Sequence, residues 1–132
     1  MNVLFVCTGN AHRSPLAAAL LQRLRPDLHV DSAGLHVVIP ISEEVKEYLA
    51  REDAAAYLKK APEDLSSKRI SDFDLIVAME QRHKDALVAR CPECESRIAV
   101  WNIEDPYLLP AEQAERIYEQ IREKAAELAR TL

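Results

Sequence analysis

Residues 3–15 read VLFVCTGNAHRSP, an apolar run followed by a polar loop and the first residues of a helical pattern. Its first four residues are apolar and rich in β-formers, which predicts a buried strand. Ser14 and Pro15 then predict the start of a helix, because serine suits the N-cap and proline suits the first helical position. The segment between them, residues 7–14, is called the anion-binding loop below.

The anion-binding loop has the composition of a site for a tetrahedral anion. Its successive backbone N–H groups would turn inward, and the start of the helix adds the positive end of its dipole. A cysteine in such a field ionises more easily, and the thiolate is the nucleophilic form. Five residues separate Cys7 from Arg13, so the guanidinium can hold two oxygens of the same anion. The loop therefore predicts a nucleophile that faces a phosphate-sized group.

Length and composition limit the classes to which the chain can belong. Its 132 residues, 48% hydrophobic and 30% charged, predict one globular domain, residues 1–132. The net charge is −5 with scattered basic residues, which argues against nucleic-acid binding. No apolar run approaches a membrane span, and the N-terminus lacks a signal-peptide pattern. We expect a cytoplasmic protein with no nucleic-acid or membrane partner, as a monomer or weak dimer.

Strand and helix patterns alternate along the whole chain. They predict an α/β doubly wound fold, Rossmann-like or flavodoxin-like, in which helices flank a four-stranded parallel sheet. Strands are expected at residues 3–6, 28–32, 73–79 and 97–101, and helices at 14–25, 42–51, 80–90 and 111–130, with short helical turns at 54–58 and from 62. Residues 35–41 are apolar but contain Pro40, so a loop is favoured over an edge strand.

Several chemically informative residues follow predicted strands. The carboxyl ends of parallel strands share one edge, so Cys7, Gly34, Met79 and the loop around Asp105 should meet there. Gly9 and Gly34 are the only glycines. Each is expected to satisfy a backbone demand, either a positive φ or close approach to a ligand.

Asp105 is the candidate general acid. Phosphate transfer to Cys7 needs a proton for the leaving oxygen, and a carboxylic acid on the open side of the loop can supply it. Glu104 and an apolar setting from Trp101, Tyr107 and Leu108 would favour the protonated form. The same group could then activate water against a cysteinyl-phosphate. The alternative is that Asp105 only caps the Asp-Pro turn.

Four segments together resemble the low-molecular-weight protein tyrosine phosphatase family. They are residues 3–15, Asp-Ser-Ala-Gly at 31–34, Asp-Leu-Ile-Val-Ala-Met at 74–79 and Asp-Pro-Tyr at 105–107. The resemblance implies that Cys7 is the nucleophile, that Arg13 binds the phosphate and its transition state, and that Asp105 is the acid. It also implies that Ser14 bonds the thiolate, that Asn10 and Ser32 shape the loop, and that Tyr107 flanks the leaving group. The phosphate-binding residues would be Thr8, Gly9, Asn10, Ala11, His12, Arg13 and Ser14, with no metal or cofactor.

The substrate implied by this resemblance is a phosphorylated protein, with phosphotyrosine favoured. Ala11 stands where residue size helps to separate phosphotyrosine from phosphoarginine in the family, so a phosphoarginine phosphatase is the nearer alternative. His12 replaces a second cysteine that many members carry. A protonated His12 would favour the Cys7 thiolate, or else it points to solvent. Residues 35–41 and 108–110 are unusually apolar here.

Cys91 and Cys94 leave other functions open. The pair suits a redox-formed disulfide or two incidental thiols better than a metal half-site, since a closed zinc site needs four ligands. A thioredoxin-coupled arsenate reductase is a remoter alternative, because such enzymes place a cysteine where this chain has Met79. A non-catalytic phosphate-binding module would not need both Cys7 and Asp105. His83 is read as a solvated helix residue.

Overall fold

The computed structural model describes residues 1–132 and contains four strands and four long helices. Their order is β1 (Asn2–Cys7), α1 (Arg13–Leu24), β2 (His29–Gly34), α2 (Glu43–Arg51), β3 (Leu75–Ala78), α3 (Gln81–Arg90), β4 (Ile98–Val100) and α4 (Ala111–Thr131). Short 3₁₀ helices occupy Ala55–Tyr57, Leu65–Ser67, Ile70–Asp72 and Pro92–Arg97.

The sheet is parallel throughout, with the strand order β2-β1-β3-β4. Strands β1 and β3 are therefore central, and the apolar side chains of residues 3–6 are fully buried. Successive strand residues face opposite sides, so Val3 and Phe5 pack into one core with α1, α2 and α4. Leu4 and Val6 join a second core that contains Leu87 of α3. The predicted doubly wound α/β fold is confirmed.

Three local predictions differ from the structure. Helix α1 begins at Arg13 with His12 at the N-cap, whereas Ser14 was expected to cap it; the hydroxyl of Ser14 instead contacts Cys7. Strand β3 is shorter than expected, because Asp72 and Phe73 end a 3₁₀ turn before it. The helical turn expected from residue 62 begins at Leu65.

The prediction of a loop after β2 is confirmed. Residues 35–41 form a loop rather than a strand. Ser42 caps α2, since its Oγ accepts a hydrogen bond from the Glu44 N–H at 3.1 Å. No helix in the structure has both the length and the apolar character needed to cross a membrane.

Gly34 allows the anion-binding loop to lie against the end of β2. A Cβ on Gly34 would stand 2.8 Å from the Asn10 nitrogen and 2.8 Å from the Gly9 carbonyl carbon. Neither glycine has a positive φ, so that part of the expectation is wrong. The close approach at Gly34 is to the loop backbone and not to a ligand. Backbone bonds at the same point, such as His36 N–H to the Thr8 carbonyl at 2.7 Å, hold the two segments together.

We expect Gly34→Ala to lower the free energy of unfolding by about 1–3 kcal/mol, because the added methyl group meets backbone atoms that cannot turn away. Gly9→Ala is the matched control, since a Cβ there has no heavy atom nearer than the His36 oxygen at 3.8 Å. Urea denaturation of both variants measures the difference. Equal stabilities of the two variants would contradict the steric reason given for Gly34.

Candidate active site

Cys7 lies at the carboxyl end of β1, on the floor of the anion-binding loop, with 2% of its surface exposed. Its Sγ is 2.9 Å from the Oγ of Ser14. The Nδ2 of Asn10 donates to the same Oγ at 2.8 Å, which leaves the Ser14 hydroxyl proton free to point at the sulfur. A hydroxyl that donates to Sγ stabilises the thiolate over the thiol.

Asn10 holds the middle of the loop in shape. It is fully buried and has a φ of 53°, in the left-handed region that asparagine tolerates. Its Nδ2 also donates to the Ser32 Oγ at 2.9 Å, and its Oδ1 accepts from the Glu63 N–H at 2.9 Å and from the Lys59 Nζ at 3.3 Å. The loop is thus bonded both to β2 and to residues 59–63.

Lys59 belongs to a partly buried ion cluster that the sequence did not predict. Its Nζ lies 2.7 Å from Glu63, and the Lys68 Nζ lies 2.7 Å from Asp31 and 2.9 Å from Glu63. Hydrogen bonds from the two lysines lower the pKa of Glu63. Burial acts to raise the pKa of Asp31, but the bond from Lys68 and its other partners outweigh it. Lys59, Glu63 and Lys68 lie in an ordinary polar segment, so no sequence signal distinguishes them, whereas Asp31 begins the Asp-Ser-Ala-Gly segment of β2.

Arg13 is 1% exposed, and its guanidinium is held from two sides. The Nη1 donates to Glu80 Oε2 at 2.5 Å and to the Ile103 carbonyl at 2.7 Å. Partial burial acts to raise the pKa of Glu80, but hydrogen bonds from Arg82 and Arg13 prevail and lower it to about 2. Glu80 is therefore ionised at neutral pH and orients Arg13. No motif in the sequence indicates that Glu80 belongs to the site.

Asp105 reaches the open side of the loop from the segment after β4. Its Oδ2 is 3.7 Å from the Arg13 Nη2, and its Oδ1 accepts from the Tyr107 N–H at 3.0 Å. The Asp105 carboxylate thus caps the turn at residues 105–107 and also faces the cleft. Its side chain is 42% exposed and lies beside a cation, so the expected apolar setting is wrong. Trp101 instead packs against Phe5, with ring centroids 5.3 Å apart.

A cleft of about 180 Å³ opens above the sulfur. The loop forms its floor, and its walls come from the loop after β2 and the segment after β4. It is lined by Cys7, Thr8, Gly9, Ala11, His12, Arg13, His36, Val38, Ile39, Asp105 and Tyr107. Charged groups and hydrogen-bond donors therefore lie at the bottom of the cleft, and apolar and aromatic groups lie at its rim.

His12 forms part of this rim and does not simply point to solvent. Its ring lies edge-on to Tyr107, with centroids 6.0 Å apart. Burial lowers the pKa of His12 below its ordinary value, although the charges of Asp105 and Glu44 act in the opposite direction. Burial thus acts against the protonated form of His12, one of the two alternatives that the sequence left open.

His83 is fully buried, and its reading as a solvated helix residue is also wrong. Its Nδ1 accepts from the Glu80 N–H at 3.0 Å, at the start of α3, and its Nε2 lies 2.9 Å from the Thr8 Oγ1. The three-residue spacing of Glu80 and His83 fits a reciprocal capping arrangement, a signal that could have located His83. Burial, and then the charges of Arg13 and Arg82, lower its pKa to about 4.

The low pKa of His83 predicts a loss of stability in weak acid. In the unfolded chain a histidine binds its proton near pH 6.5, whereas in the fold His83 binds it only near pH 4. The free energy of unfolding should therefore fall as the pH drops between those values, by about 3 kcal/mol from this group. The His83 pKa of about 4 already includes the effects of its charged neighbours, which are Glu80, Asp105, Arg13 and Arg82.

Urea denaturation of the wild type and of His83→Asn, at about pH 7 and about pH 4.5, measures this contribution. Other titrating groups are common to both proteins and cancel in the comparison. The variant should lose less stability than the wild type over this range. An equal loss would show that His83 protonates in the fold as readily as in the unfolded chain.

Cys91 and Cys94 form a disulfide bond, with Cα atoms 5.4 Å apart. The redox-formed disulfide is thus the alternative that the structure contains, and Cys7 is the one free cysteine. The sulfurs and the carboxylate of Glu93 lie within 4.8 Å of one another. The pair follows the far end of α3, about 15 Å along that helix from Glu80. It does not contribute to the cleft.

Comparison with known proteins agrees with this geometry. The sequence model of the low molecular weight phosphotyrosine protein phosphatases matches residues 2–132. The chain is 32% identical to the low molecular weight protein-tyrosine-phosphatase Wzb of Escherichia coli K12, over 99% of this chain and 95% of the relative. It is 33% identical to a protein-arginine-phosphatase of Geobacillus stearothermophilus, over 72% of this chain and 65% of that one.

A solved structure shares the fold over almost its whole length. Vibrio vulnificus Wzb, in complex with benzylphosphonate, superposes with a TM-score of 0.89 at 29% identity and covers 99% of this chain and 98% of its own. The family match and the E. coli relative each span nearly all of the sequence. The chain belongs to the low molecular weight phosphotyrosine protein phosphatase family.

Proposed function

We propose that this phosphatase hydrolyses phosphotyrosine in protein substrates by covalent catalysis at Cys7. The observation that carries the proposal is the convergence of three side chains on one cleft. The Sγ of Cys7 lies at its floor, the guanidinium of Arg13 beside it, and the carboxylate of Asp105 3.7 Å from that guanidinium. Cys7 and Arg13 come from the anion-binding loop, whereas Asp105 comes from the segment after β4.

In the first step the Cys7 thiolate attacks phosphorus. A sulfur–phosphorus bond forms, the bond from phosphorus to the aryl oxygen breaks, and Asp105 gives its proton to that oxygen. Loop N–H groups and the Arg13 guanidinium hold the three non-bridging oxygens, over which the transition-state charge spreads. Glu80 and the Ile103 carbonyl already orient Arg13, so little reorganisation is needed.

In the second step water hydrolyses the cysteinyl-phosphate. Asp105, now ionised, takes a proton from the water as its oxygen attacks phosphorus. The sulfur–phosphorus bond breaks, inorganic phosphate leaves, and the thiolate is restored. The Ser14 hydroxyl, 2.9 Å from the sulfur, favours this departure because it stabilises the developing negative charge.

The rim supports an aromatic leaving group. His12 and Tyr107 form an edge-to-face pair, and Val38 and Ile39 add apolar wall. A phenyl ring fits such surroundings. A phosphoarginine side chain brings a guanidinium group instead, and Asp105, the one carboxylate in the cleft lining, already faces Arg13. The E. coli relative, a protein-tyrosine-phosphatase, supports phosphotyrosine, and Vibrio Wzb holds benzylphosphonate, a ligand with an aromatic ring. The Geobacillus relative, a protein-arginine-phosphatase, supports phosphoarginine as the alternative.

The test compares kcat/KM on two peptides of identical sequence, one with phosphotyrosine and one with phosphoarginine. We expect the phosphotyrosine peptide to be hydrolysed at least about tenfold more efficiently, a difference worth about 1.4 kcal/mol in the transition state. A preference for the phosphoarginine peptide would assign the alternative. Quenching the reaction and finding phosphate bound to Cys7 by mass spectrometry would test the covalent step.

Arsenate reduction has little to support it, because Met79 stands where the second cysteine would be and Cys91 is bonded to Cys94. Thioredoxin-dependent arsenate reduction that is lost in Cys91→Ser would revive it. The single domain of residues 1–132, the cytoplasmic location, the monomer or weak dimer, and the lack of nucleic-acid or membrane partners remain predictions.

A further inference from the structure

Thr8, directly after the nucleophile, has a side chain surrounded by hydrogen-bond donors. Its Oγ1 lies 2.9 Å from the His83 Nε2, 2.9 Å from the Arg82 Nη2 and 3.4 Å from the Arg13 Nη2. No carboxylate or carbonyl oxygen forms a hydrogen bond with this hydroxyl. Thr8 also lines the cleft together with Cys7 and Arg13.

The directions of these bonds follow from the partners. The His83 Nδ1 accepts the Glu80 N–H at 3.0 Å, so it carries no proton, and in the neutral ring the proton lies on Nε2. The guanidinium of Arg82 can only donate. Both lone pairs of the Thr8 oxygen are therefore occupied, and its own proton has no acceptor in the protein.

We propose that the Thr8 hydroxyl donates a hydrogen bond to a non-bridging phosphate oxygen, and that His83 is the positioning residue that orients it. This inference rests on the proposed function in that it assumes a phosphate group above Cys7. It adds a side-chain donor to the backbone N–H groups of the loop. It also accounts for a buried, neutral histidine that the two chemical steps do not use.

Thr8→Val keeps the shape of the side chain and removes the hydroxyl, and Thr8→Ser keeps the hydroxyl. The probes are inorganic phosphate and orthovanadate, and calorimetry measures the binding of each anion. We expect Thr8→Val to weaken the binding of both anions by about ten- to a hundredfold, the usual effect of losing a hydrogen bond to a charged group. Thr8→Ser should stay within about threefold of the wild type.

A collapse of the loop would also weaken anion binding, so a neutral reagent is the control. Iodoacetamide alkylates Cys7 without using the phosphate donors. The rate of Cys7 alkylation should be the same in Thr8→Val and the wild type at a fixed pH. If alkylation and anion binding are lost together, or if anion binding is unchanged, the proposal for Thr8 is wrong.

Two variants separate the roles of His83. An asparagine can keep the acceptor for the Glu80 N–H but does not reach Thr8, whereas a glutamine can place an N–H near the position of Nε2. We expect His83→Asn to weaken anion binding by about three- to tenfold, and His83→Gln to restore most of it. In a protein that already carries Thr8→Val, adding His83→Asn should not weaken anion binding further. Additive effects would show that His83 does not act through Thr8.

These binding measurements need no turnover. Absence of phosphotyrosine hydrolysis by the wild type would therefore contradict the proposed function and leave the Thr8 measurement valid. Conversely, an active enzyme whose Thr8→Val variant binds vanadate normally would contradict only the inference about Thr8 and His83.

Discussion

Replacing Cys7 with serine should abolish turnover of aryl phosphates while the protein still folds and binds inorganic phosphate. Serine is only slightly smaller than cysteine, and its hydroxyl can keep a hydrogen bond to Ser14, so the loop should keep its conformation. A hydroxyl is not ionised at neutral pH, however, and no general base lies next to it to remove the proton. We expect kcat to fall by about 10⁶-fold, the scale on which loss of a covalent nucleophile acts in other hydrolases.

Hydrolysis of 4-nitrophenyl phosphate measures the loss, and calorimetry with inorganic phosphate shows whether the loop is intact. Cys91→Ser/Cys94→Ser is the control, since it removes sulfur atoms that lie away from the cleft and should keep kcat close to the wild-type value. Turnover by Cys7→Ser within about tenfold of the wild type would rule out covalent catalysis at this residue.

Local patterns in the sequence were sufficient to predict the sheet and its helices. Residues 3–6 are apolar without alternation, which is typical of a strand buried on both faces, and β1 is indeed central. Where a local rule failed, a tertiary contact competed with it. Ser14 would be a good N-cap, yet its hydroxyl bonds to Cys7 and Asn10 instead, and the N-cap is His12, two residues earlier.

The residues that touch phosphate could be predicted from motif spacing, but the residues that orient them could not. Arg13 meets Glu80 and the Ile103 carbonyl across 67 and 90 residues of sequence. Those contacts depend on where α3 and the segment after β4 lie once the sheet has formed. Lys59 reaches Asn10 from an ordinary polar loop for the same reason. Only His83 had a usable signal, its spacing from Glu80.

The charges of the cleft differ from those that the sequence suggested. His12 stands in the loop, but burial lowers its pKa and so acts against a positive charge on its ring. The positive field at the floor therefore comes from Arg13, from the loop N–H groups and from the start of α1. This field therefore does not require a positive charge on His12.

Asp105→Asn is the second change with a large expected effect, and it separates protonation of the leaving group from binding. The amide oxygen can still accept the Tyr107 N–H, which Asp105 Oδ1 accepts at 3.0 Å, so the turn should persist. An amide cannot deliver a proton. We expect kcat for phosphotyrosine to fall by about 10²–10⁴-fold, as for other general acids, with phosphate binding retained.

The size of this loss should depend on the leaving group. A phenol such as tyrosine is a weak acid and needs the proton as its bond to phosphorus breaks, whereas 4-nitrophenolate leaves readily without one. The variant should therefore lose much more activity on phosphotyrosine than on 4-nitrophenyl phosphate when the phosphorylation step of Cys7 is followed in single turnovers. Glu104→Gln, which alters the neighbouring exposed carboxylate, should leave both rates unchanged. An equal loss on the two substrates would mean that Asp105 acts on the charge of Arg13, 3.7 Å away, and not on the leaving oxygen.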